Sequence, residues 1–103
     1  MLFKEIHVPM ILKGTKTATR RVWKKPMVKE GGIYKAKLKM LSKDYFAKIK
    51  VTKVYKQRLG SMILEDYKKE GYNSRGKFID IWKKINGSWR EDLVVDVIEF
   101  EKI

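Results

Sequence analysis

The chain has no cysteine, a single histidine and two prolines among its 103 residues. Without cysteine there is no disulfide scaffold, no thiolate nucleophile and no zinc-thiolate site, and His7 by itself excludes a histidine-rich metal centre. No metal and no cofactor is expected. No apolar run approaches the roughly 18 to 20 residues that a membrane span requires. Met1 to Lys13 carries neither the apolar stretch nor the small-residue cleavage site of a signal peptide, so a cytoplasmic protein without membrane contact is expected. Amides are scarce as well, with Gln57, Asn73 and Asn86 alone, which fits a thermophilic source. Acidic residues number 12 against 25 basic ones, for a formal charge of +13. A hydrophobic fraction of 44% with 12% aromatics excludes disorder along the whole length. It is enough for the core of one domain, 1–103, with a monomer favoured.

The charge is unevenly spread. Met1 to Arg58 holds 17 basic and three acidic residues, whereas Leu59 to Ile103 holds eight basic and nine acidic. All of the excess therefore lies in the first half, the asymmetry of a surface that meets a polyanion, and nucleic acid is the default partner. Lysine accounts for 20 of the 25 cations, a composition that a solvated sheet face would also produce.

Pro9 suits the first turn of a short helix through Met10, Ile11 and Leu12, and Gly14 is placed to end it in a left-handed cap. Thr17, Thr19, Val22 and Trp23 favour extended chain, which Lys24-Lys25-Pro26 interrupts. Tyr34, Ala36, Leu38 and Met40 then alternate with Lys35, Lys37 and Lys39, the period of a half-buried strand. A second alternation, Ala47, Ile49 and Val51 against Lys48, Lys50 and Thr52, loses phase at Val54, which predicts a bulge near Thr52-Lys53. The two strands form a hairpin around Ser42-Lys43-Asp44. Ser61 is positioned to cap a helix carrying Met62, Ile63, Leu64 and Tyr67, ended by Gly71. Asn73 or Ser74 starts another, whose Phe78, Trp82 and Ile85 share one face, so Trp82 is expected in the core. Leu93 to Phe100 closes the chain as a strand. Segregated elements of this kind indicate an α+β fold, with a small, curved sheet or barrel and helices at one side.

Chemistry concentrates in Gly14-Thr15-Lys16-Thr17-Ala18-Thr19-Arg20-Arg21. In an extended strand Thr17, Thr19 and Arg21 share one face and Lys16, Ala18 and Arg20 the other, so Lys16 and Thr19 meet only if the chain bends. Gly14 makes such a bend available. Because the segment follows a helix C-terminus, the helix dipole attracts no anion there, and any phosphate must be held by Lys16, Arg20 and Arg21. Trp23, Tyr34 and Tyr72 are candidate stacking platforms for an unpaired base. Glu70 stands at a helix C-terminus, where a carboxylate opposes the dipole. Its ordinary explanation is an ion pair with Lys69 or Arg75. His7, with no second imidazole, reads as incidental.

Gly14-x-Lys16-Thr17-x-Thr19-x-Arg21, with Glu70-Gly71-Tyr72, Trp82 and the closing Val97-Ile98-Glu99-Phe100, resembles the ASCH domain, a PUA-like family linked to RNA. The resemblance implies a small PUA-like β-barrel of five to six strands with two or three short helices at one side. It also implies a cleft between the helices and one barrel face, where the Lys16 to Arg21 segment meets Glu70. Gly31-Gly32-Ile33 departs from the family pattern, which often has a Gly-Asp pair there.

Two functions follow. The first is an RNA- or nucleotide-binding module with a basic cleft lined by the Gly14 to Arg21 segment. The second comes from similarity to small ASCH amidohydrolases acting on N4-acetylcytidine-type nucleosides, whose Lys, Thr and Glu fall on Lys16, Thr19 and Glu70. Thr19 would then be the nucleophile, Lys16 its base, and Glu70 an orienting or proton-relay group. Burial beside Arg20 and Arg21 lowers a lysine pKa whereas a neighbouring carboxylate raises it, and sequence leaves the balance open. A third function, helix-turn-helix DNA binding around Gly71, is disfavoured because the helix pair from Ser61 to Ile85 carries little of the positive charge.

Overall fold

The computed structural model describes residues 1–103. A three-residue 3-10 turn, Glu5–His7, runs directly into helix α1, Val8–Lys13. Pro9 lies in the first turn and Gly14 closes the helix at φ 78°, a left-handed conformation that glycine adopts without a Cβ clash. Strands β1 (Ala18–Arg21), β2 (Ile33–Ala36) and β3 (Ala47–Arg58) follow. Helices α2 (Leu64–Lys69) and α3 (Arg75–Asn86) come next, and β4 (Val94–Lys102) ends the chain.

The sheet is antiparallel in the order β1-β4-β3-β2 and curls into a half-barrel, so the fold class is α+β. It has four strands, not the five to six expected. Lysine-faced alternation reaches Met40, yet β2 stops at Ala36. Beyond that point Lys37 leaves β3 and exchanges backbone hydrogen bonds with Met1 and Phe3, so Leu38 and Met40 are exposed. Alternation reports which face a residue takes; it does not report whether a partner strand continues alongside. β1 is likewise shorter than the Thr17 to Trp23 stretch. The bulge is where the lost phase put it, between Val51 and Lys53, and from there Val54 pairs with Ile98.

Helix α2 begins later than Ser61, which sits in a 3-10 turn, Leu59–Ser61. Ile63 is the N-cap, and the Asp66 side chain accepts from its N–H. Ile63 and Leu64 are therefore exposed while Met62 enters the core. Ser74 caps α3 by accepting from Lys77 N.

Strand β4 separates two apolar layers. Val95 and Val97 face Tyr67, Phe78 and Trp82 from α2 and α3, whereas Ile98 and Phe100 join Phe3, Ile49 and Val51 inside the curl. Phe78 and Trp82 are buried as predicted. α3 thus lies on the sheet by its apolar face, within the layer that covers one side of the half-barrel.

Candidate functional site

The segment after α1 turns sharply at Gly14 to Lys16, ahead of β1. Gly14 N donates to Ile11 O, and Thr15 N and Lys16 N both donate to Met10 O. Thr17 then spans two elements, its N–H reaching Lys69 O at 2.7 Å and its carbonyl accepting from Phe100 N. The bend is thereby fixed to the end of α2 and to β4. At that end Gly71 N donates to Lys68 O and Tyr72 N to Tyr67 O, the paired bonds of a Schellman cap. Gly71 has φ 99°, and a Cβ there would stand 2.8 Å from Met10 Sδ. The left-handed backbone at this position favours glycine, and the cap it closes delivers Glu70 to Lys16.

Glu70 is 3% exposed and Lys16 2%. Lys16 Nζ donates to Glu70 Oε1 at 2.9 Å, to Ala18 O at 2.9 Å and to Glu70 O at 3.3 Å. Arg20 Nη1 donates to the other carboxylate oxygen, Oε2, at 2.7 Å. Arg20 also pairs with Asp66 at 3.4 Å and donates from Nε and Nη2 to Gln57 Oε1. Glu70's misfit with the helix dipole is resolved by these two buried cations, whereas Lys69 pairs with Glu99 and Arg75 with Glu91. Two cations and two carboxylates make a cluster with no net charge.

Arg21 lies outside that balance. Its Nε donates to Thr19 Oγ1 at 3.2 Å, Nη2 to Leu2 O, and its guanidinium stacks over Phe3 at 4.9 Å. No carboxylate lies within 4 Å of it. Asp96, its register partner on β4, is taken by Lys56 at 3.2 Å. Nη1 thus keeps its protons without a protein acceptor, beside a cavity. Burial lowers the pKa of Arg21 against the pull of Glu70, which marks a guanidinium short of compensating charge.

The cavity, about 350 Å³, is lined by Lys16, Thr19, Arg20, Arg21, Trp23 and Glu70 together, with apolar walls from the N-terminal segment and α3. Lys16, Thr19 and Glu70 therefore border one space. Within it, Lys16 does not hydrogen-bond Thr19: its three donors are all engaged elsewhere, and the Thr19 hydroxyl accepts from Arg21. Burial outweighs Glu70 in setting the Lys16 pKa, which is lowered, with Arg21 and Arg20 adding to the effect. Of the residues expected to bind nucleotide, Arg20 is committed to its ion pairs, Tyr34 lines a separate cavity, and Tyr72 lines neither cavity.

His7 is not incidental. It is buried, lines the cavity, and holds Tyr72 Oη at 2.7 Å through Nε2. Burial, then the charges of Lys16 and Arg21, push its pKa down from 6.5 to about 4. Nothing in the local sequence signals this, because Tyr72 is 65 positions away. The folded chain keeps His7 neutral between pH 6.5 and 4 while the unfolded chain protonates it. The stabilisation is therefore complete above pH 6.5 and disappears as pH falls towards 4. The drop in melting temperature from pH 7 to pH 4 will be smaller in His7→Gln than in wild type; parallel curves would remove His7 from the pH response.

By sequence the chain matches no protein-family model and no curated protein. By structure it is similar to an ASCH domain from Lactobacillus crispatus, with TM-score 0.65 and 17% identity over 94% of this chain and 70% of that one. The fold is ASCH-like. A DUF984 protein from Enterococcus faecalis aligns with TM-score 0.66 and 16% identity, over 93% of this chain and 66% of its own. The hypothetical protein PH0355 aligns with TM-score 0.71 and 19% identity, over 98% and 94%. The ASCH-like fold accounts for the half-barrel with helices on one side, and the cavity lies where those helices, β1 and the N-terminal segment meet. Its chemistry rests on this chain's own residues.

Proposed function

We propose that the protein binds single-stranded RNA or a nucleotide in the cavity beside β1, with Arg21 as the principal anion ligand and Trp23 as a stacking surface. The observation that carries this reading is the lack of any carboxylate partner for Arg21 in a cavity whose buried cations Lys16 and Arg20 are both paired with Glu70. A guanidinium held by Thr19 and Leu2 presents Nη1 in a fixed direction, and a phosphate or a base edge can accept from it. The apolar and aromatic wall provides the complementary surface for a base. The lysine-rich first half supplies the longer-range attraction. Titration of labelled single-stranded RNA by anisotropy at several salt concentrations tests this. About three phosphate contacts at roughly 0.7 each give a slope near −2 for log K against log salt, and a flat response would refute the reading.

A second reading, acyl removal from N4-acetylcytidine, is favoured by one observation: a buried lysine with lowered pKa borders the same cavity as Thr19 and Glu70. Here Thr19 Oγ would attack the acyl carbon as Lys16, in its neutral form, takes the hydroxyl proton and passes it to the departing N4 amine. Water would then release acetate from Thr19. This route requires Lys16 to lose one proton and turn from Ala18 O towards Thr19. Mass measurement after incubation with N4-acetylcytidine decides it: conversion to cytidine, abolished by both Thr19→Ala and Lys16→Ala, supports hydrolysis, and intact nucleoside excludes it.

A further inference from the structure

A second cavity, about 590 Å³, opens on the other side of Arg21 and Trp23. Leu2, Arg21 and Trp23 line both spaces, so the two cavities share a wall. Three features distinguish the second. Its lining includes Arg21, Lys35 and Lys37 but no carboxylate. Its floor and rim are apolar and aromatic, with Tyr34, Met27 and Met40 beside Trp23; Met27 is 72% and Met40 71% exposed. Flexible methionines and flat rings left in water beside cations form an amphipathic surface that suits a base with its phosphate better than a bare anion. Its surroundings are also cationic: Lys35 stands opposite Lys48 across β2 and β3, and both ammonium groups lie over Tyr45, at 5.1 and 5.9 Å. Like charges placed directly opposite repel, and a polyanion laid along this edge would relieve that repulsion.

Resting on the RNA-binding reading above, we propose that this cavity is the site of a flanking nucleotide. The ligand is then a strand of at least two nucleotides, with one base in each cavity and the linking phosphate at Arg21. Arg21 suits that position because it belongs to both walls and has donors to spare. Charge complementarity selects the occupant, since the second lining sets cations without a carboxylate beside aromatic rings, and an anion that carries a flat base meets both.

Affinities for a 5′-labelled mononucleotide and for di-, tri- and tetranucleotides of RNA should be compared in wild type and in Met27→Glu, which sets a carboxylate in the second cavity at an exposed position. Wild type is expected to bind the dinucleotide about tenfold or more tighter than the mononucleotide. Met27→Glu is expected to erase that gain, so that in this variant the dinucleotide binds no tighter than the mononucleotide. Equal affinity for all lengths would overturn the flanking site while leaving the first cavity in place. Failure of every length to bind would refute the parent reading and this one together. Displacement by polyglutamate as effective as by RNA would show a generic cationic surface and overturn the assignment to a nucleotide.

Discussion

Replacing Glu70 with alanine is expected to lower the melting temperature by at least about 12 °C. The carboxylate is the shared partner of two buried cations, with Lys16 Nζ at 2.9 Å and Arg20 Nη1 at 2.7 Å. Removing it strands Lys16 with carbonyl partners alone and leaves Arg20 with the Gln57 amide and one longer ion pair, to Asp66. Breaking a buried pair from one side costs about 3 to 5 kcal/mol, because the remaining charge has lost both water and its partner. In a domain near 100 residues, each kcal/mol moves the melting temperature by roughly 4 to 8 °C. The double variant Lys16→Met, Glu70→Leu should recover half or more of that loss, since it removes a cation together with the carboxylate. Unfolding of Glu70→Ala within 3 °C of wild type would show that the cluster does not hold α2 against the β1 segment.

The second large effect concerns affinity. Arg21→Ala should weaken binding of short single-stranded RNA by about 10- to 100-fold, the worth of one or two buried charge-assisted hydrogen bonds. Arg21→Lys should recover only part of this, because an ammonium keeps the charge but not the forked geometry. Arg21 also fastens Leu2 and stacks on Phe3, so the melting temperature of both variants must be measured alongside. Affinity loss in a variant that melts like wild type assigns the effect to the ligand. Unchanged affinity in Arg21→Ala would leave the cavity without its anion ligand and sink the proposed function.

Much of the fold was legible because local rules governed it. The Gly14 cap, the Val51–Lys53 bulge, the Ser74 cap and the buried face of Phe78 and Trp82 depend on neighbours within a few residues. Sequence pattern and structure part where a distant partner decides the outcome. Leu38 and Met40 have strand periodicity but no strand beside them, because the N-terminal segment captures Lys37. Ser61 is a good cap residue, yet the chain keeps it in a 3-10 turn and lets Asp66 satisfy the first N–H of α2. His7 acquired its place from Tyr72, an encounter no local pattern records.

Composition by itself excluded thiol and disulfide chemistry and located the positive charge, and spacing alone singled out Lys16 to Arg21. Tertiary structure alone decided which of two adjacent arginines is free to meet an anion. Strand pleating turns Arg20 and Arg21 to opposite faces, and only folding brings Gln57, Asp66 and Glu70 to one of them. These hydrogen bonds and ion pairs act through space between groups 37 to 50 positions apart, so they leave no periodic mark along the chain.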